Sequence, residues 1–177
     1  VSVAQAGWLL TSYALTFAVA APVLVALTGR IGRRRVVTSG LAILGLASVL
    51  SVFAPTLESL LILRAIAAGG ASLVTPVSLA MAAALSPPES RGRALSLVFL
   101  GLTLAQVVGA PAGSWLAFTF GWRSVFGLVA VLSLPCVWLA WTRIQSGLRF
   151  DPVSLRDLGA VLKDGVILLT LAFTVVF

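Results

Sequence analysis

Residues 21–37 read APVLVALTGRIGRRRVV. An apolar segment containing Pro22 runs into two glycines and four arginines, and an apolar segment resumes at Val36. Between two core helices of a water-soluble domain such a turn has little purpose. Beside hydrophobic spans it has a clear one, because clustered arginines hold that end of a helix pair on the cytoplasmic side of a bilayer. Composition points the same way. Of the 177 residues, 60% are hydrophobic and only 10% charged, with mean hydropathy +1.13, whereas soluble domains carry about 25% charged residues. The chain reads as an all-α membrane protein.

Working outward from that turn, five spans are expected. The first runs from Gln5 to Leu27 and the second from Val36 to Ala54. Pro55, Thr56 and Glu58 make a short turn before the third, Leu57 to Leu85, which Arg64, Gly69, Gly70 and Pro76 interrupt. The polar loop SPPESRGR, Ser86 to Arg93, leads to a fourth span from Ala94 to Phe118. A short turn around Gly121 to Arg123 leads to a fifth, Trp122 to Trp141. The apolar run from Val166 to Phe177 is shorter than the roughly 20 residues a span needs. That run and a first residue that is not Met give the expectation that both ends are cut from a longer protein.

The net charge of +7 and pI near 11.6 could suggest nucleic acid. Position argues against that. Ten of the twelve basic residues fall in three polar segments: Arg30, Arg33, Arg34 and Arg35; Arg91 and Arg93; Arg143, Arg149, Arg156 and Lys163. Alternating spans place the loops at Arg33, Arg91 and Arg149 inside and the turns at Glu58 and Arg123 outside, as the positive-inside rule asks. Trp8, Trp115 and Trp122 then fall near the outer interface and Trp138 and Trp141 near the inner one, an aromatic belt. The chain has one cysteine, Cys136, and no histidine. No metal site, cofactor or enzymatic centre is expected, and an intramembrane enzyme would need nucleophiles, acids or metal ligands that the sequence does not bring together.

Residues 143–163 differ from the other polar segments. Asp151-Pro152 breaks the chain, and Ser154 can cap a short helix with Leu155, Leu158, Val161 and Leu162 on one face. A cytoplasmic linker to a second bundle beginning at Asp164 is expected there.

The sequence also repeats. At an offset of 89 residues Ala21-Pro22 falls on Ala110-Pro111, Leu15 on Leu104, Val19 on Val108, Gly32 on Gly121, Arg34 on Arg123 and Val36 on Val125. An odd number of spans separates equivalent positions, so the copies have opposite topology, a pattern of secondary transporters. The third span has no partner in the first unit, so one helix is expected before residue 1.

These residues resemble the major facilitator superfamily over essentially the whole chain. The loop after the second family helix is close to G-x-L-a-D-R-x-G-R-R, and here Leu27, Arg30, Gly32, Arg33 and Arg34 match it. Val25 stands at the first Gly, and Gly29 replaces the Asp. In the family that Asp joins a charge network with the partner bundle, which implies a weaker or rebuilt latch here. The physical reading remains a turn that Gly29 and Gly32 permit, with arginines that can meet helix carbonyls and lipid phosphate; the alternative makes them topology anchors alone. RAIAAGGAS, with Arg64, Gly69 and Gly70, is similar to the family's fourth-helix R-x-x-x-x-G-G. An arginine inside the hydrocarbon costs a few kcal/mol unless it is paired or wetted, so Arg64 is either functional or snorkels to the headgroups. Gly109-Ala110-Pro111-Ala112-Gly113 resembles the fifth-helix motif of the family's drug antiporters, although Ala110 stands where a Gly is usual. Gly101, Ala105, Gly109 and Gly113 make a smooth stripe for a close helix contact, and Pro111 favours a kink. Plain packing is the alternative. RGRALSL, Arg91 to Leu97, and GWRSVF, Gly121 to Phe126, also look like the bacterial drug- and sugar-efflux branch.

The resemblance implies spans two to six of an N-terminal six-helix half in residues 1–142, a linker in 143–163, and the start of the second bundle in 164–177. It implies a multi-pass protein of the bacterial inner membrane that moves small molecules such as drugs or sugars outward by alternating access, with proton antiport. Its partners would be the bilayer, the first helix and C-terminal bundle of the same protein, a small-molecule substrate and protons. Of the five acids, Glu58 stands only at the outer end of the third span, and Glu89, Asp151, Asp157 and Asp164 lie outside the complete spans, so a proton-carrying carboxylate is expected elsewhere in the protein. Tyr13, Thr16, Ser72, Thr75 and Gln106 are candidate cavity groups, each alternatively a satisfied packing group. The competing function is a membrane scaffold or sensor with the same fold and no transport.

Overall fold

The computed structural model describes residues 3–147. The linker helix expected at Ser154, the basic residues Arg149, Arg156 and Lys163, and the segment 164–177 lie outside the described residues. Among the described residues, five helices are long and apolar enough to cross a membrane. The described residues contain α1 (Val3–Leu27), α2 (Arg33–Val52), α3 (Leu57–Leu85), a 3-10 turn (Pro88–Ser90), α4 (Arg91–Phe120) and α5 (Trp122–Arg143). Pro22, Pro76, Pro111 and Pro135 all lie inside helices, as membrane helices tolerate where neighbouring groups re-satisfy the backbone. The third span, expected to be interrupted at Arg64, Gly69, Gly70 and Pro76, is one continuous helix of 29 residues.

Side chains and turns close the helix ends. At the end of α1 the Thr28 hydroxyl donates to the Leu24 carbonyl at 2.6 Å, and the Ile31 N–H closes a turn on the Thr28 carbonyl at 2.9 Å. Gly32 has φ −58° and ψ 133°, values open to any residue, so it is not needed for the turn as expected. α2 then starts three residues before Val36, placing Arg33, Arg34 and Arg35 in its first turn. Positive charge there opposes the helix dipole. The local propensity is overridden, which fits a role outside the helix itself.

α3 begins with a capping box: the Ser59 N–H donates to Thr56 Oγ1 at 3.2 Å, and the Thr56 N–H donates to Ser59 Oγ at 3.3 Å. Glu58 in the same turn suits the dipole. Gly121 separates α4 from α5 at φ 84° and ψ 157°, a region essentially closed to residues with a side chain.

Small residues decide the packing. α3 packs against both α1 and α2, α2 also against α5, and α4 lies more lightly on α3 and α5. At the crossing of α2 and α3 a Cβ on Gly70 would lie 2.6 Å from the Gly40 carbonyl oxygen, and one on Gly40 would lie 2.7 Å from that of Gly70. Ala67 and Ala68 are wholly buried on α3. Where α2 meets α5, a Cβ on Gly45 would collide with the Ser133 side chain. In lipid there is no hydrophobic drive between helices, so close backbone approach of this kind supplies the contact. A small apolar cluster of Val36, Val37, Leu73, Val77 and Ala140 packs at the arginine end. No residue of α4 is buried.

The repeat is visible in space. α2 starts at 33 and α5 at 122, a difference of 89, and a glycine caps each. Arg34 lies with its Cζ 4.0 Å from the centre of the Trp141 ring. Moving both members of that pair to their equivalents (34 + 89 = 123; 141 − 89 = 52) gives Arg123 and Val52, and Arg123 Nε donates to the Val52 carbonyl at 3.1 Å. Its Nη2 donates to the Ala54 carbonyl at 3.1 Å. The two ends of the α2–α5 pair are thus tied by equivalent arginines.

Candidate functional site

The expected residues separate into four places. In the arginine turn Leu27, Arg30 and Arg35 are exposed, Gly29 and Arg33 are buried, and Arg34 stacks on Trp141. The turn therefore presents a mixed surface: one guanidinium within the bundle, one against α5, two facing out.

Arg64 lies seven residues into α3, about 10 Å along the helix axis from its start. It is half-buried, with its Cζ 4.3 Å from the Phe126 ring centre on α5 and 5.9 Å from the Tyr13 ring centre on α1. Both fall within the range of a cation–π attraction, which strengthens where water is excluded. Its Nε is buried with no hydrogen-bond acceptor among the described residues. The guanidinium thus lies between helices, beside an aromatic ring of α5 and one of α1. Nothing in the sequence singled out Phe126; the signal available was an aromatic five residues after Gly121, on the span that pairs with α2.

The α4 stripe behaves differently. Gly101, Ala105, Gly109 and Pro111 are exposed, and a Cβ on Gly101 or Gly109 would meet nothing within 4 Å. Gly113 alone has a neighbour, Val125 Cγ1 at 3.9 Å from such an atom. The close glycine contacts in the described residues are instead Gly40 with Gly70 and Gly45 with Ser133. Sequence reasoning named Gly70 for its motif but missed Gly40 and Gly45, which share no four-residue spacing.

The five candidate cavity groups lie in different surroundings. Ser72 is wholly buried, and its hydroxyl donates to the Gly69 carbonyl at 2.8 Å. Tyr13 borders Arg64. Thr16 lies in a shallow apolar groove on α1 with Leu15, Val19 and Val23. Gln106 is exposed on α4, and Thr75 is half-buried on α3.

Five membrane-length helices, a paired inverted repeat and an arginine turn define the class, and comparison with known proteins agrees. Residues 1–177 match the sequence profile of the Major Facilitator Superfamily. The chain belongs to that superfamily. It is 30% identical over 98% of its length to the uncharacterized MFS-type transporter YbcL of Bacillus subtilis, which it covers to 45%. It is 32% identical over 94% of its length to the inner membrane transport protein YdhP of Escherichia coli, covering 43% of it. It is 33% identical over 83% of its length to a chloramphenicol resistance protein of Streptomyces lividans, covering 38% of it. The chain spans less than half the length of these curated relatives. As a superfamily member it is a multi-pass membrane protein with an all-α bundle.

Proposed function

We propose that this chain forms most of one bundle of a secondary carrier that exports small, neutral or amphipathic molecules across a bacterial inner membrane. The observation that carries the proposal is Arg64, a charge held inside the bundle with Phe126 and Tyr13 as its neighbours. A cation in that position costs a few kcal/mol unless it is paired or wetted, and a charge kept there despite that cost marks a functional site by default. Support comes from the uncovered faces of α1 and α4, which suit further helices of the same protein, and from relatives named for transport and for chloramphenicol resistance. In this reading the arginine turn faces the cytoplasm, residues 143–163 link the bundle to a second one, and rocking of the two moves a midplane site between the two sides. Protons are the proposed coupling ion, with the titrating carboxylate outside the spans described here.

The test is export of chloramphenicol, and separately of ethidium, from cells expressing the complete reading frame that carries this chain, with and without a proton uncoupler. Uncoupler-sensitive export that Arg64→Ala abolishes and Arg64→Lys reduces supports the proposal. A protein that reaches the membrane and moves no probe, with no proton flux on probe addition, refutes it in favour of the scaffold.

A further inference from the structure

The seam between α2 and α5 carries two features that neither the bundle core nor the proposed carrier site uses. The first is a cavity of about 330 Å³ at the arginine end, lined by Gly32, Arg34, Arg35, Trp141, Ser146 and Gly147. No carboxylate lines it among the described residues. Arg34 is flattened against Trp141 at 4.0 Å, and its Nε is buried without a hydrogen-bond acceptor among those residues. Arg35 is exposed beside it, and Gly147 sits at φ 100°. Two guanidinium groups, a hydroxyl and an interfacial tryptophan therefore surround a volume whose lining, among the described residues, carries no counter-charge.

The second feature is an apolar groove of about 350 Å³ deeper along the same two helices, walled by Ala42, Leu46, Val49, Val131, Leu134 and Val137. Its floor is where Gly45 meets Ser133, and the Ser133 hydroxyl is already spent on the Ala130 carbonyl at 2.6 Å. The groove is dry in its chemistry and open to the side. Leu46, Val131 and Leu134 are each more than 60% exposed.

Helical geometry joins the two. Ala42 follows Arg35 by seven residues and Leu134 precedes Trp141 by seven, so each pair lies on one helix face about 10 Å apart in depth. A cationic, aromatic-edged cavity at the interface above an apolar groove in the hydrocarbon matches the two halves of one molecule class. Basic pockets between membrane helices bind the headgroups of acidic lipids. We propose that the α2–α5 seam seats one anionic phospholipid of the leaflet that meets the arginine turn, its phosphate at Arg34 and Arg35 and an acyl chain in the groove.

The test is lipid retention by the purified protein in detergent, read by native mass spectrometry with palmitoyl-oleoyl phosphatidylglycerol and, separately, the phosphatidylcholine of the same chains. The unaltered protein should retain phosphatidylglycerol in preference to phosphatidylcholine. Loss of two phosphate-facing cations in Arg34→Gln/Arg35→Gln should weaken phosphatidylglycerol about tenfold or more, and Arg34→Lys/Arg35→Lys should keep most of it. Arg35→Gln alone, which leaves the Trp141 stack untouched, should lose a few-fold and serves if the double variant misfolds. Leu46→Trp/Val131→Trp, which fills the groove, should weaken both lipids. Arg91→Gln/Arg93→Gln removes as much charge from another loop and should change neither. Equal retention of the two lipids by the unaltered protein overturns the proposal. So does a loss from the Arg91/Arg93 variant as large as that from Arg34/Arg35, or full retention after the groove is filled.

Discussion

Gly69 and Gly70 are adjacent in sequence and nearly opposite in circumstance, which makes them a controlled experiment on how this bundle is held. A Cβ on Gly69 would meet nothing within 4 Å. A Cβ on Gly70 would lie 2.6 Å from the Gly40 carbonyl oxygen, 3.0 Å from the Leu44 nitrogen and 3.1 Å from Ile43 Cγ2. Two of those three atoms are backbone, so the obstruction cannot rotate away. α2 and α3 must move apart by something near 1 Å, and a gap of about 0.5–1 Å already forfeits a quarter to a half of each dispersion contact across the crossing. Ala67, Ala68 and Ala47, all close to fully buried, are placed to lose most. Overpacking of this kind costs roughly 1–3 kcal/mol. Replacing a mid-helix glycine by alanine also favours the helix by about 0.5–1 kcal/mol, and that gain is common to both positions. Gly70→Ala should therefore be less stable than Gly69→Ala by about 1–3 kcal/mol, with Gly69→Ala at or slightly above the unaltered protein. The assay is reversible unfolding in mixed micelles of dodecyl maltoside and sodium dodecyl sulfate, followed by tryptophan fluorescence and far-UV circular dichroism. Gly40→Ala should resemble Gly70→Ala, and the double variant should cost less than the sum, because one separation accommodates both methyl groups. Equal stability of Gly69→Ala and Gly70→Ala would refute the argument that this backbone crossing sets the α2–α3 distance.

Gly121→Ala should cost about 1–3 kcal/mol because its φ of 84° and ψ of 157° admit little but glycine, whereas Gly32→Ala, at its repeat-equivalent position with φ −58°, should be nearly neutral; the same unfolding assay reads both. Arg123→Gln removes two charge-assisted hydrogen bonds to the Val52 and Ala54 carbonyls, and because the side chain is partly solvated the loss should be only about 1–2 kcal/mol. In a background where Cys136 is Ser, single cysteines at Arg35 and Thr56, both exposed, should react with a membrane-impermeant maleimide from opposite sides of the bilayer; labelling from one side would overturn the proposed topology. Phe126→Leu should lower export without loss of protein from the membrane if the Arg64–Phe126 contact at 4.3 Å matters to transport.

Much of this was legible in the residues, for definite reasons. Hydrocarbon leaves helices as the natural way for an open chain to satisfy its backbone, so hydropathy alone places α1 to α5 to within a few residues. The third span could be bounded at Leu57 and Leu85 as the structure has it, since Thr56 and Ser86 are polar stops. The start of α2 could not, because three arginines in a first helical turn run against the dipole, and the sequence therefore reads them as loop. The offset of 89 residues was visible as a pattern; that Arg34 with Trp141 and Arg123 with Val52 are equivalent ties was not.

The sequence by itself determined the solvent, the number of spans and where charge gathers, because these depend on each residue's own transfer free energy and add up along the chain. The tertiary structure decided which glycines are crossings and which are bare, that Arg64 lies against Phe126, and that Gly101 and Gly109 on α4 meet nothing in the described residues while Gly40 and Gly70 nearly touch. Those outcomes are pairwise: they follow from which helix faces which, and a glycine or an arginine carries no mark of its eventual neighbour until the helices are packed.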